Sequence, residues 1–274
     1  NYYRQVVDLM DADITINIDQ FAERDFPENT QASQNDLDNP NEIIYEGDKW
    51  GYEYDPNIRK YSWWGQGRFT LKKVDAFVAA ELTSTTLWRE GKMRNGRFPN
   101  SSFGESEHLN YFNYGVKGGL TYKVDGRNYF HARGAYRTRA PFMRDAFVSP
   151  RTRNEVTPNL NSEEILSAEA GFSHRSPGFK AQANFYYTEI NNQNLLRGVY
   201  FDIERTFGNV IMTGIDQRHM GVELATEFKL TSSLTFNAVA GVGQYLYSSR
   251  PNLVITQDNN SEFLVSETVY FENY

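Results

Sequence analysis

The chain has 274 residues, no cysteine, a formal charge of −7 and 15% aromatic residues, with a mean hydropathy of −0.64. No stretch approaches the roughly 18 consecutive apolar residues of a membrane helix, so a helical membrane protein is excluded. Missing cysteine removes disulfides and thiolate metal sites, and the acidity argues against a nucleic-acid partner.

Asn1 to Met10 lacks the apolar core of a signal peptide. Residues 1–60 carry 14 Asp and Glu against 5 Lys and Arg and read as one extended outer loop region. Short apolar pieces there, Ile14 to Ile18 and Glu42 to Tyr54, predict strands that stand above a membrane. Asp11, Asp13 and Asp19 resemble a calcium loop only in part, since the EF-hand glycine and terminal Glu are missing.

Eight segments then alternate apolar and polar residues: 61–72, 75–88, 110–123, 128–139, 163–174, 179–190, 218–229 and 233–246. Period two means strand, because successive side chains project to opposite sides of the pleat. The third is the clearest, with Phe112, Tyr114, Val116, Leu120 and Tyr122 on one face and Asn113, Lys117, Thr121 and Lys123 on the other. Trp63, Phe69, Val78, Leu82, Phe130, Ala168, Phe185, Val222 and Phe236 join the apolar face. Glu81, Arg133, Glu169, Lys180, Glu223 and Glu227 join the polar one. A tilted strand crosses a bilayer in about 9–11 residues, and Trp63, Trp88, Tyr122, Tyr187 and Tyr247 near strand ends suit interface girdles. The same alternation would also suit a soluble sandwich, with the apolar face as its core.

Connections discriminate further. Asp125-Gly126 predicts a two-residue hairpin turn, and Ser176-Pro177-Gly178 a type II turn; 72–75 and 230–233 are equally brief. Between these hairpins lie 89–109, 140–162 and 191–217, of 21, 23 and 27 residues. Structureless loops beyond about 12–15 residues are uncommon in soluble domains, whereas short turns on one side and long loops on the other characterise outer-membrane barrels. The fold expectation is therefore all-β: an antiparallel transmembrane β-barrel in part, with four hairpins over 61–247 and a further outer loop or strand from 248–274. In that orientation 1–60 and 248–274 both lie outside the cell, so the eight strands are expected to be an interior slice of a larger barrel.

Three runs carry a resemblance: Thr138-Arg139-Ala140-Pro141-Phe142, Ser149-Pro150-Arg151-Thr152-Arg153, and Pro158-Asn159-Leu160-Asn161-Ser162-Glu163 leading to Ala170-Gly171-Phe172. Together they resemble the barrel of TonB-dependent receptors, most of all those of Bacteroidota. Phe21 to Phe26, Trp88 to Lys92, Arg94 to Arg97 and Ser249-Arg250-Pro251 also look like this group. The resemblance implies a 22-stranded barrel in a Gram-negative outer membrane. It also implies contact with membrane lipid and energy-coupled import of a scarce nutrient (siderophore, vitamin, peptide or oligosaccharide). Coupling to the TonB complex would run through a plug domain that this chain does not show. A small barrel or porin without active transport, and a soluble sandwich that binds glycans, remain open alternatives.

No catalytic constellation is present: His108, His131, His174 and His219 are scattered, and no enzyme activity, cofactor or metal is expected. Arg133, Arg137, Arg139, Arg144, Arg151 and Arg153 cluster against only Asp145 and Glu155. Guanidinium forks suit carboxylate or phosphate, so Arg137, Arg139, Arg144, Arg151 and Arg153 are substrate-contact candidates. The competing reading pairs the arginines with Glu81, Glu169, Glu223 and Glu227 across the lumen, or with the plug. Trp50, Tyr52 and Tyr54, with Phe98, Phe103, Tyr200 and Phe201, either stack on ligand or pack the outer loops together.

Overall fold

The computed structural model describes residues 2–5, 16–17, 30–201, 206–257 and 263–269. Its strands are β1 (Tyr2–Gln5), β2 (Ile16–Asn17), β3 (Ile43–Ile44), β4 (Lys49–Thr70), β5 (Val74–Gly91), β6 (Gly104–Glu105) and β7 (Leu109–Lys123). They continue with β8 (Asn128–Arg139), β9 (Glu163–Arg175), β10 (Phe179–Phe201), β11 (Thr206–Lys229), β12 (Thr235–Tyr247), β13 (Asn252–Gln257) and β14 (Phe263–Thr268). Thr30–Ser33 and Met143–Asp145 are single helical turns. Twelve strands form one antiparallel sheet in the order β1-β4-β5-β7-β8-β9-β10-β11-β13-β14, with β6 added to β5 and β12 to β11. All eight expected segments are strands in it.

Register separates the two faces. Leu82 stands opposite Trp63 and Tyr114, and Ala170 opposite Ala132 and Phe185, so the apolar positions align across neighbours. Among the described residues no second sheet covers them: Trp63 is 63% exposed, Phe112 69% and Val242 75%. Burying a large apolar side chain is worth about 1.5–3 kcal/mol, so a single-layer wall leaving dozens uncovered is unsuited to water. The sandwich expectation is corrected on this point, since these side chains are not sealed between two sheets.

Strand lengths also depart from expectation. β4 begins at Lys49, β10 runs to Phe201 and β11 starts at Thr206. Hence 191–217 is mostly a tall hairpin, not a loop, and residue 60 lies inside a strand. At about 3.3 Å per residue, β11 is close to 80 Å long, far beyond what a bilayer crossing requires. Bulges near Asn192 and Gly214, both at positive φ, break the β10–β11 register. There Asn192 N–H donates to the Asp216 carboxylate at 2.9 Å, and Asp216 N–H to Ser249 Oγ at 2.7 Å. β12 pairs the lower half of β11 and β13 its upper half, so the two are one strand interrupted at 248–251. Pro251, having no N–H, cannot extend the ladder there.

The turns at the other end of the sheet are tight, as expected, but differ in type. Neither Gly126 nor Gly178 takes a left-handed φ, so the two-residue primed turn and the type II turn do not form. Instead Val124 N–H bonds the Asn128 carbonyl, and the Asp125 carboxylate accepts from the N–H groups of Arg127 (2.7 Å) and Asn128 (2.8 Å). Those bonds, with the Asn128 side chain, hold the Asp125 carboxyl below its ordinary pKa. Beyond these, Ile14, Ile18, Phe21 to Phe26, and Asp11, Asp13 and Asp19 lie outside the described residues.

Candidate functional site

Segment 140–162 folds into a small hairpin of its own. Phe147 bridges Val156, Val148 N–H bonds the Glu155 carbonyl at 3.0 Å, and Thr157 N–H bonds that of Ala146 at 3.0 Å. Ala146 and Phe147 pack with Leu87 of β5, while the next residue, Val148, packs with Ile211 of β11 and Val254 of β13. β5 and β11 are five strand spacings apart, about 24 Å along a flat sheet. Adjacent residues reach both only because the sheet and its tall extensions wrap around the hairpin. This wrapping defines a concave polar face and a mouth bridged by 140–162.

Two buried arginines lock the bridge. Arg89, 1% exposed on the concave side of β5, donates from Nε to the Pro150 carbonyl at 2.6 Å. Its Nη1 donates to the Ser102 carbonyl at 2.8 Å and to Asn154 Oδ1. Burial lowers its pKa to about 10, and its guanidinium lies over the Tyr54 ring at 5.2 Å. Arg153, also 1% exposed, donates to Glu155 at 2.6 Å and stacks on Phe98 at 4.6 Å.

The residues expected to contact substrate are distributed around this knot. Arg151 is exposed at the hairpin tip, over the Tyr52 ring at 5.6 Å. Tyr52 and Tyr54 are neighbours at 6.2 Å, and Tyr54 stacks on Tyr2 at 5.6 Å. Burial raises the Tyr54 phenol above its usual pKa, with Arg151 and Arg89 opposing the shift. Trp50 is half-buried at the start of β4, opposite Arg4 in the register. Arg139 pairs with buried Glu163. Arg139 and Arg144 both lie over Phe142, at 4.6 and 5.2 Å, with Arg144 77% exposed. Arg153 has no open face: the hairpin seals its guanidinium against protein, which makes it a structural tie. Arg137 lies two residues below Arg139 on the same face of β8, on the concave floor.

Sequence reasoning did not single out Arg89 or Lys117. A signal for the former exists at Leu87, an apolar residue that follows Thr83 and Thr85 on the polar face, which marks where another segment packs. Asp145 was seen only as a counter-charge to the arginines. It is buried against β10, its carboxyl raised above the ordinary value by burial, with Arg144 and the Leu196 N–H pulling the other way. An acid whose folded pKa is raised contributes stability that is full below the unfolded value, about 3.9, and lost as pH rises through the folded one. Amide protection across 140–162, with the intrinsic pH dependence of exchange divided out, is therefore expected to fall as pH rises above about 4. Asp145→Asn is expected to flatten that dependence; an equally steep profile in the variant would refute the assignment.

On the floor, Arg137 lines a hollow of about 420 Å³ with Trp64, Gln66, Glu81 and Lys117. Three of the four acids expected to pair with the polar-face arginines are engaged elsewhere: Glu169 with His131 at 3.4 Å, Glu227 with Lys180 at 2.8 Å, and Glu81 with the Thr83 hydroxyl at 3.1 Å. Among the described residues no cluster of three or more His, Asp or Glu that could hold a metal occurs.

Among solved structures the chain is similar to a copper transporter, OprC. The TM-score is 0.54 at 13% sequence identity, over 74% of this chain and 33% of the transporter. Identity that low establishes fold alone, and the chain spans a third of the transporter's length. No protein-family model and no curated protein matches the sequence. The chain is thus all-β, part of the antiparallel wall of a β-barrel, in a fold that serves a transporter elsewhere.

Proposed function

We propose that the chain is the wall and mouth of an outer-membrane active transporter of the TonB-dependent receptor class, importing a scarce nutrient without chemically altering it. One observation carries the reading: a single-layer antiparallel wall whose uncovered face is apolar and whose concave face is polar. Lipid is the medium that favours the first face and water the second. The tall β4, β10 and β11 then stand outside the cell, and the 140–162 bridge narrows the entrance. Energy would reach the lumen through a plug contacted by TonB, and motifs such as Arg139-Ala140-Pro141 support that class. The likeness to Bacteroidota receptors rests on those motifs alone.

Cargo is drawn from siderophores, vitamins, peptides or oligosaccharides, because a shared fold does not select among them. Cells carrying or lacking the intact gene, with or without a functional TonB, can be grown on single limiting nutrients. At least one nutrient is expected to support growth only when both genes are present. Growth that needs the gene but not TonB would reduce the protein to a passive pore.

A further inference from the structure

From the concave floor of β4 to β9 we infer a binding track for an anionic solute, bearing carboxylate or phosphate groups; this rests on the transporter reading and narrows its cargo. Three adjoining hollows of about 420, 400 and 270 Å³ run down this floor. Arg137 and Lys117 line the first, Arg68 and Arg133 the second, and Arg133, Lys123 and Arg175 the third. Glu81 and Asp75 are the only carboxylates lining them, and Asp75 is engaged by Lys123 at 2.7 Å.

Register gathers these cations beside one another. Lys117 stands opposite Ala135, whose strand neighbours on the same face are Arg133 and Arg137. Diagonal partners of this kind lie about 7–8 Å apart, so three like charges share one patch. Among the described residues none of the three has an ion-pair partner, although Glu169 stands directly opposite Arg133; its carboxylate lies 3.4 Å from His131 Nε2 instead. Glycine faces each arginine across β7: Gly115 opposite Arg137 and Gly119 opposite Arg133. A Cβ at Gly119 would come within 2.9 Å of the Arg133 stem and 2.7 Å of the Phe77 ring. The wall is thus cleared for the arginine stems to lie along it, with their forks in the lumen. Charge complementarity selects an anion, and forks of this type hold carboxylate or phosphate bidentately.

The test uses the intact protein in detergent, titrated calorimetrically with citrate and with inorganic phosphate at low and high salt. At least one of the two is expected to bind, more weakly as salt rises. Lys117→Gln with Arg137→Gln should weaken binding at least tenfold, while Arg137→Lys retains part of it. Arg127→Gln, the loss of one charge in an exposed turn, should change it less than twofold. All variants are first checked for the wild-type thermal transition, and Arg133→Gln replaces any that fails. Silence toward both anions overturns the track, as does a loss in Arg127→Gln equal to that in the floor variants. Cross-linking of Lys117→Cys to another segment of the same protein, with citrate silent, also overturns it, in favour of an internal acidic seat. TonB-dependent growth is unaffected by any of these results, so the transporter reading is judged separately.

Discussion

Arginine at Ala168 is expected to lower folding free energy in a bilayer by about 2–4 kcal/mol, the cost of that charge near the membrane midplane. Ala168 sits mid-strand in β9, exposed on the apolar face between Gly134 and Tyr187. Ala181 lies on the same face but only two residues from the start of β10, so arginine there belongs to the interfacial range of about 0–1 kcal/mol. Ser167→Arg turns the same charge into the lumen, opposite Ala135 and Thr188 and diagonal to Arg133 and Arg137, and should cost less than about 1 kcal/mol, from like-charge repulsion alone. Urea titration of the three variants folded into phosphatidylcholine vesicles yields the comparison. An Ala168→Arg protein as stable as Ser167→Arg would remove lipid from the apolar face, and the transporter reading with it.

How far the sequence carried is clearest in β9 and β11. Between 166 and 173 of β9 one face carries Leu166, Ala168, Ala170 and Phe172 and the other Ser167, Glu169, Gly171 and Ser173, so period two is unambiguous there. The upper half of β11 pairs β13 and packs against Val148 of the 140–162 hairpin. Asn209, Ile211 and Thr213 are buried together there, so polar and apolar residues share a face and the alternation dissolves. The strand continues regardless, since its partner β10 continues beside it through Phe201. Pairing is a non-local property that hydropathy along one segment does not report.

The same limit governs the site. Polar-face arginines are visible in the sequence, but which of them are sealed depends on where 140–162 lands. Arg153 and Arg151 are two residues apart, yet one is a buried tie and the other an exposed tip. Conversely, the expected lumenal pairing failed for Arg133 because His131, two residues away on the same face, reaches Glu169 first. Competition of this kind is decided by side-chain reach.

Replacing Arg89 with Met is expected to open the mouth while leaving the wall intact. The methionine keeps an apolar stem but leaves the Pro150 and Ser102 carbonyls and Asn154 Oδ1 buried without their donor. Each unsatisfied acceptor costs about 1–3 kcal/mol, so a local loss of roughly 3–5 kcal/mol is expected. The ladder from β4 to β12 does not involve that guanidinium and should hold. Gly91→Ala attacks the same knot without touching charge: its Cβ would sit 1.8 Å from the Ser102 carbonyl oxygen, forcing backbone to move. In both variants the peptide bond after Arg153, sealed in the wild type, should become the new early site of trypsin cleavage, ahead of any loss of the folded band on unheated electrophoresis. Wild-type cleavage in Arg89→Met would show that apolar packing of Phe147 and Val148 alone holds the bridge. Simultaneous loss of the barrel would instead make the knot part of the wall's own stability.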